Sequence, residues 1–236
     1  MRAICYTCPG YGLYDVPKPS LTKDDDVLIR VAYAGICGSD LNIIKGFEDE
    51  FLGVVPGAKT ILGHEASGYI EEIGPAANVK GLKVGDKVAL YYNEHCGKCF
   101  YCRSGKEQFC QNINLRMGSM ADYIVLGEQQ VFKLPDDADM LEAAMIEPVS
   151  VVLRGIDLLN IKPGDSVAIS GGGGIGLLFI QLLKICGASR ITVIEPVSDK
   201  RQTALQLGAN YSINPFEQDV LEEAKQITDG RGFDFV

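Results

Sequence analysis

Four thiols fall within fifteen residues of this chain, as Cys96-x2-Cys99-x2-Cys102-x7-Cys110. Thiolates at that spacing can close a tetrahedron around zinc, with Zn–S bonds of about 2.3 Å. Four protein donors leave no open position, so the expected role is structural: the ion pins a lobe with little apolar content of its own. A disulfide pair or an iron–sulfur cluster is the competing reading. A nucleic-acid-binding zinc ribbon would want basic surroundings; Lys98, Arg103 and Lys106 are offset by Glu94 and Glu107. His95, next to Cys96, reads as a surface histidine or one behind the ligands.

A second chemical signal is the run Gly171-Gly172-Gly173-Gly174-Ile175-Gly176, which contains Gly-x-Gly-x-x-Gly at positions 171, 173 and 176. It follows an apolar strand, Ser166–Ser170, and opens a helix, which is the context that gives such a loop meaning. The glycines allow a tight turn and let a pyrophosphate approach the helix N-terminus. Gly171, Gly173, Gly174, Ile175 and Gly176 are therefore the candidate cofactor contacts. Glu195 ends the next strand, nineteen residues after Gly176. An acid there hydrogen-bonds the adenosine ribose and repels a 2′-phosphate, so NAD is favoured over NADP. Lys200 and Arg201 read as a solvated helix face, and Cys186 as a core residue of the preceding helix.

The elements that must carry these residues change character near residue 150. Before it, short β-rich runs alternate with Gly and Pro breaks: 27–33, 66–74, 87–91 and 121–126, besides a first strand over Met1–Cys5. That spacing predicts an antiparallel, barrel-like domain. After Pro148 strands and helices alternate: strand 166–170, helix 175–186, strand 191–195, helix 199–207, strand 211–213, helix 217–228. Alternation of this kind means a parallel sheet with helices on its faces. The last five residues, 232–236, read as the start of another buried strand. A parallel strand needs a neighbour and a cover, so the ending is expected to be a truncation.

The whole chain has 236 residues and a net charge of −9, with 47% hydrophobic residues. Its length suits one or two domains. An acidic chain repels phosphate backbones and anionic lipid, which argues against nucleic acid and membrane partners. No apolar run reaches membrane length, and no signal peptide opens the chain, so a cytoplasmic location is expected. In that compartment the eight cysteines (5, 8, 37, 96, 99, 102, 110 and 186) point to metal rather than disulfides.

A third set is scattered: Cys37 in Gly35-Ile36-Cys37-Gly38-Ser39-Asp40, His64-Glu65 after Gly63, and Glu147 before Pro148. Spacing alone does not join them; each alone reads as structural. Taken in order with the four-cysteine cluster and the glycine loop, however, they resemble the zinc-containing medium-chain dehydrogenases. The resemblance covers essentially the whole chain and is closest to the sorbitol (iditol), threonine and butanediol dehydrogenase branch.

That resemblance implies a GroES-like β-barrel catalytic domain over residues 1–150, followed by the first half of a Rossmann doubly wound parallel sheet over 151–236. The active site is expected in the cleft between them. It implies Cys37, His64 and Glu147 as ligands of a catalytic zinc. Glu65 is a further carboxylate that ligates transiently or stands behind the ligands, since a permanent third anion would weaken the Lewis acid. The four-cysteine zinc is structural. Asp40 is expected to bond the far nitrogen of His64, and Ser39 to hydrogen-bond the substrate hydroxyl. The implied reaction is hydride transfer between a secondary alcohol or polyol and NAD. Classical relatives place a proton-relay histidine where this chain has Asn42, so the proton needs another route, through water or Glu65. The short stretch between Cys110 and Ala121 suggests an open substrate mouth. Arg154, two turns after Glu147, reads as a surface residue.

The 236 residues alone are expected to be inactive, and the full-length form to be a dimer or tetramer. Two other readings stand beside this one: a non-catalytic zinc- and NAD-binding relative, and a zinc-independent quinone-reductase-like enzyme.

Overall fold

The computed structural model describes residues 1–7, 10–46, 58–77 and 80–236. Cys8 lies outside them. The chain divides into two compact units, Met1–Glu147 and Pro148–Val236, three residues from the expected boundary.

The first unit is antiparallel. Its strands are β1 (Arg2–Tyr6), β2 (Tyr11–Asp15), β3 (Asp26–Ala34), β4 (Thr60–Ile61), β5 (Ala66–Ile73), β6 (Lys87–Leu90), β7 (Asn93–Glu94), β8 (Asn114–Leu115), β9 (Tyr123–Gly127) and β10 (Val131–Lys133). They form sheets in the orders β2-β1-β4, β10-β6-β5-β3-β9 and β7-β8. The first two are stitched at their edges, because Ile4 N donates to Met120 O and Asp122 N to Arg2 O, at 2.8 and 3.0 Å. Among the described residues three short helices interrupt the strands: α1 (Gly38–Ile44), α2 (Phe100–Arg103) and α3 (Met140–Ala143).

Alternation along the strands puts Val27, Ile29, Ile70, Val88, Ile124, Leu126 and Val131 into one core. Burying a side chain of this size contributes about 1.5–3 kcal/mol, so the pairing of β3 with its neighbours is strongly specified. A one-residue slip would turn this apolar set to water. Gly68 secures the closest approach: a Cβ there would stand 2.6 Å from the Arg30 carbonyl oxygen of β3. Asp26 begins β3 fully buried. One of its oxygens accepts the N–H groups of Thr22 and Lys23 and the Thr22 hydroxyl, at 2.8–2.9 Å. Burial pushes this carboxyl up, but those donors hold it below its ordinary value.

The helix α4 (Ile146–Leu159) carries Pro148, Val152 and Ile156 on one buried face, at the four-residue spacing of a helix stripe. The second unit continues with β11 (Ser166–Ser170), α5 (Gly174–Ile185), β12 (Ser189–Ile194), α6 (Ser198–Leu207), β13 (Tyr211–Ile213) and α7 (Val220–Ile227). The sheet order is β11-β12-β13, all parallel. Val167, Ile180, Leu183, Ile191, Val193 and Ala204 form its core, against which Cys186 also packs. Gly155 lets α4 and α5 meet closely; a Cβ there would lie 2.9 Å from the Phe179 ring.

Most boundaries lie within two residues of the sequence expectation, and the last helix moves further for a local reason. The last helix starts at Val220 and not at 217, because Asp219 caps it by accepting from Leu221 N and Glu222 N. The segment from Asn214 to Gln218 is instead a turn, with Gln218 bonding back to Asn214 N. At the chain end, Phe235 makes a single parallel bridge to Val167, and Ala168 N donates to Phe235 O at 2.9 Å.

Candidate functional site

The four clustered cysteines converge. The Sγ atoms of Cys96, Cys99, Cys102 and Cys110 all lie within 4.8 Å of one another. Cys99 and Cys102 are 3.5 Å apart and Cys96 and Cys102 4.0 Å. A tetrahedron with Zn–S bonds of about 2.3 Å requires sulfur separations of about 3.8 Å. The thiols are free, and these separations far exceed a disulfide bond. Backbone amides are aimed at the sulfurs. Cys110 accepts from the N–H of Cys96 and of Asn112, each at 3.4 Å. Cys96 is held down to about 6 by the N–H groups of Lys98 and Cys99, and Cys99 is lowered by those of Cys102 and Gln111. Burial and its sulfur neighbours push Cys102 up to about 12. Such a nest of donors around clustered sulfurs fits thiolates bound to a cation.

The second group is assembled by strand pairing. Ala34 at the end of β3 pairs with Ala66 at the start of β5. The residues just beyond one strand and just before the other therefore meet, and donor atoms of Cys37, His64 and Glu65 lie within 4.8 Å of one another. His64 and Glu65 are both buried. Gly35 N donates to Glu65 O at 2.7 Å. A Cβ on Gly35 would stand 2.3 Å from Glu65 Oε2, so glycine is needed for the carboxylate to sit where it does. Gly63 adopts φ +91°, and its carbonyl accepts from Gly118 N and Ser119 N. A Cβ on Gly63 would strike Met120 at 2.6 Å.

Asp40 differs from expectation. Its buried carboxylate accepts from Cys37 N at 2.9 Å and Gly63 N at 3.1 Å, and it makes no bond to His64. It braces the two ligand-bearing loops through their backbones. Nδ1 of His64 is buried without a hydrogen-bond partner among the described residues, as is Ser39 Oγ. A sulfur, an imidazole and a carboxylate in mutual reach, with an orphaned ring nitrogen among them, fit a zinc ion's donor preferences.

Glu147, at the start of α4, stands outside that close triplet; Glu65 occupies the carboxylate place in it. Glu147 is nonetheless in the same field. Burial raises its carboxyl, His64 lowers it and Glu65 raises it. Tyr92 was not singled out from the sequence. Its ring packs on His64 with centroids 4.9 Å apart. Burial raises its phenol first, and the charges of Glu147 and Cys37 add to that. Its carbonyl accepts Arg116 N at 2.7 Å, which fixes the loop after β6. No motif surrounds Tyr92; its position just past the end of a central strand was the available signal. His95 is half-buried beside Tyr91 and belongs to neither metal group. Asn42 and Arg154 are exposed.

In the second unit the glycine turn is built as such loops require. Gly171 has φ +106°, and a Cβ on Gly176 would lie 2.0 Å from Gly171 O. Gly173 caps α5, with open space where its Cβ would be, as at Gly174. Ile175 is exposed on the first turn. The turn borders a cavity of about 590 Å³ lined by β11, Phe179 and Phe235. Glu195 is buried, and its carboxylate accepts Gly172 N and Val197 N, each at 2.8 Å. Those two donors hold it below the ordinary range.

Antiparallel sheets carrying a sulfur–imidazole–carboxylate group and a four-thiol lobe, followed by a parallel sheet with a glycine turn, define a zinc-binding dehydrogenase. Residues 23–136 match the family model of the alcohol dehydrogenase GroES-like domain, and 174–236 that of zinc-binding dehydrogenase. The chain belongs to this family of zinc-binding alcohol and polyol dehydrogenases. The L-threonine 3-dehydrogenase of Pyrococcus horikoshii is 40% identical over 99% of this chain and 67% of that protein. The sorbitol dehydrogenase of Bacillus subtilis is 36% identical over 93% of this chain and 62% of its own length. A solved zinc-binding dehydrogenase of Sinorhizobium meliloti, bound to NADP, is 32% identical with a TM-score of 0.84, covering 94% of this chain and 64% of that one. The chain thus spans about two thirds of its relatives. Among the described residues no helix is long and apolar enough to cross a membrane.

Proposed function

We propose that this chain carries the catalytic zinc site, the structural zinc site and the dinucleotide turn of an NAD-linked dehydrogenase acting on a secondary alcohol or polyol. The observation that carries this reading is the convergence of Cys37, His64 and Glu65 from two paired strands beside an aromatic wall. Residues 1–150 serve as the catalytic domain and 151–236 as the cofactor domain. When bound, zinc supplies Lewis acidity to the substrate hydroxyl, and NAD accepts the hydride.

Cys37 and His64 hold the ion with a carboxylate. Glu65 stands in ligand range, and Glu147 is the second carboxylate of the pair. Sharing the place between them keeps the centre from carrying a permanent third anion. Ser39, whose hydroxyl has no partner among the described residues, receives the proton of the substrate hydroxyl in a hydrogen bond. With Asn42 exposed and unable to take a proton, Glu65 or water carries it outward. With NAD bound, a secondary alcohol held there would give up a hydride to the cofactor and a proton to solvent, and would become a ketone. Tyr92 shapes the pocket wall over His64. Cys96, Cys99, Cys102 and Cys110 hold the structural ion, which fastens the loop from Asn93 to Leu115.

Glu195 supports NAD, because its buried, ionised carboxylate faces the turn. A dimer or tetramer in the cytoplasm is the assembly proposed for the full-length protein. Metal analysis together with a substrate screen tests the reading. It predicts two zinc ions per chain. It predicts NAD reduction by one of a panel of polyols, 2,3-butanediol, threonine and simple secondary alcohols, assayed on the full-length protein with NAD and NADP in parallel. A zinc count of one or zero, or reduction of quinones with no alcohol turned over, would refute it.

A further inference from the structure

We propose that Glu195 is a positioning residue for the dinucleotide turn, clamping it into its binding shape as well as meeting the adenosine ribose. This rests on the reading that the turn holds NAD. The residue directly follows β12, and its own N–H donates to Ile213 O at 3.0 Å, which fixes its backbone to β13. From there the side chain reaches back. Oε2 accepts Gly172 N and Oε1 accepts Val197 N, each at 2.8 Å, with the residue 5% exposed. Gly172 lies between Gly171, held at φ +106°, and Gly173, the cap of α5. One carboxylate therefore ties the turn after β11 to the turn after β12. The fit is close: a Cβ on Gly172 would lie 3.2 Å from Glu195 Cγ and 3.3 Å from Lys200 Cβ.

Both oxygens are needed. An amide in this place has one acceptor, and its NH2 would confront the remaining N–H. One nitrogen of the neighbouring guanidinium is already engaged. Arg201 Nη1 donates to the carbonyls of Glu195 and Pro196, at 2.8 and 2.7 Å. If the carboxylate acted only on the ribose, neutralising it would turn the preference toward NADP. If it positions the turn, neutralising it weakens both cofactors.

The test measures binding directly and needs no turnover. NADH, NADPH and an NADH analogue lacking both hydroxyls of the adenosine ribose are titrated calorimetrically against the parent, Glu195→Gln and Glu195→Ala. Amide exchange at Gly172 and Val197 is followed by NMR without cofactor. Losing a charge-assisted hydrogen bond weakens an interaction by about 10- to 100-fold. Glu195→Gln is expected to lose about tenfold toward both NADH and the analogue, and Glu195→Ala more. Neither gains affinity for NADPH, and both exchange the two amides faster. If Glu195→Ala does not fold, Glu195→Gln carries the comparison. Variants that hold the analogue as tightly as the parent, or that bind NADPH more tightly, overturn the positioning role alone. A parent chain that binds no NADH removes the proposed cofactor, and this role with it.

Discussion

Replacing Gly35 by alanine probes the metal group without touching a donor atom. The added methyl would lie 2.3 Å from Glu65 Oε2 and 3.1 Å from Glu65 Cβ. Ordinary contact begins near 3.4 Å, so the carboxylate must retreat by about 1 Å. Metal–ligand distances tolerate only about 0.2 Å. A displaced carboxylate beside a metal lowers affinity by about 10- to 100-fold. Zinc competition against a chromophoric chelator reads this directly. The four-cysteine site serves as an internal control, because Gly35 belongs to a different loop. The parent is expected to release its two ions in two steps, and Gly35→Ala to shift the weaker step by one to two decades while leaving the other unmoved. In a Glu65→Ala background the carboxylate contact is gone and only the 3.1 Å approach to the residue 65 Cβ remains, so Gly35→Ala should then add little. Superimposable competition curves for parent and variant would refute the reasoning. So would an equal loss in the Glu65→Ala background, which would place the effect in the backbone and not at the carboxylate.

Gly176→Ala forces its Cβ against Gly171 O at 2.0 Å, and should lower stability by about 1–3 kcal/mol; Gly173→Ala, with open space, should leave the melting temperature unchanged. Cys102→Ser should reduce bound zinc from two ions to one and open the loop between Cys96 and Cys110 to proteolysis, since metal binding there is folding energy. Asp26 is held below its ordinary value of 3.8 in the folded chain, so its contribution is fully present above that value and is lost as pH falls through the folded one. Asp26→Asn should therefore flatten the melting temperature against pH below about 4, while costing about 1–2 kcal/mol at neutral pH. An unchanged acid limb would count against it.

The parts of the site that lie close together in sequence were legible in it. Four thiols within one short loop announce a metal, because few other arrangements require that spacing, and the glycine run announces itself by the strand before it and the helix after it. Ser166–Ser170 and Tyr211–Ile213 match the expected strands end to end, since buried parallel strands are short apolar runs with sharp limits. The scattered group was a different matter. Cys37 and Glu65 meet only because Ala34 pairs with Ala66, and register is a property of two strands together. Family resemblance brought the set together, Glu65 included as a further carboxylate, but it gave the permanent carboxylate place to Glu147, which stands outside the close triplet of Cys37, His64 and Glu65. It did not foresee Asp40 holding backbone amides. Tyr92 was invisible because an aromatic pair after a strand ordinarily means core packing.

The Asp40 brace has a consequence for how the ions are exchanged. It joins the loop of Cys37 to the loop of Gly63 through peptide N–H groups, so it survives the departure of the metal. That cradle keeps its form when empty, and an ion can leave and return without the chain refolding. Across the thiol lobe the cross-loop bond reaches a sulfur itself, Cys96 N donating to Cys110 Sγ, so stripping its ion is expected to loosen the loop between the paired strands β7 and β8. Dialysis against a mild chelator followed by replacement with cobalt should consequently mark the Cys37–His64 centre selectively, leaving a spectroscopic reporter between the two braced loops.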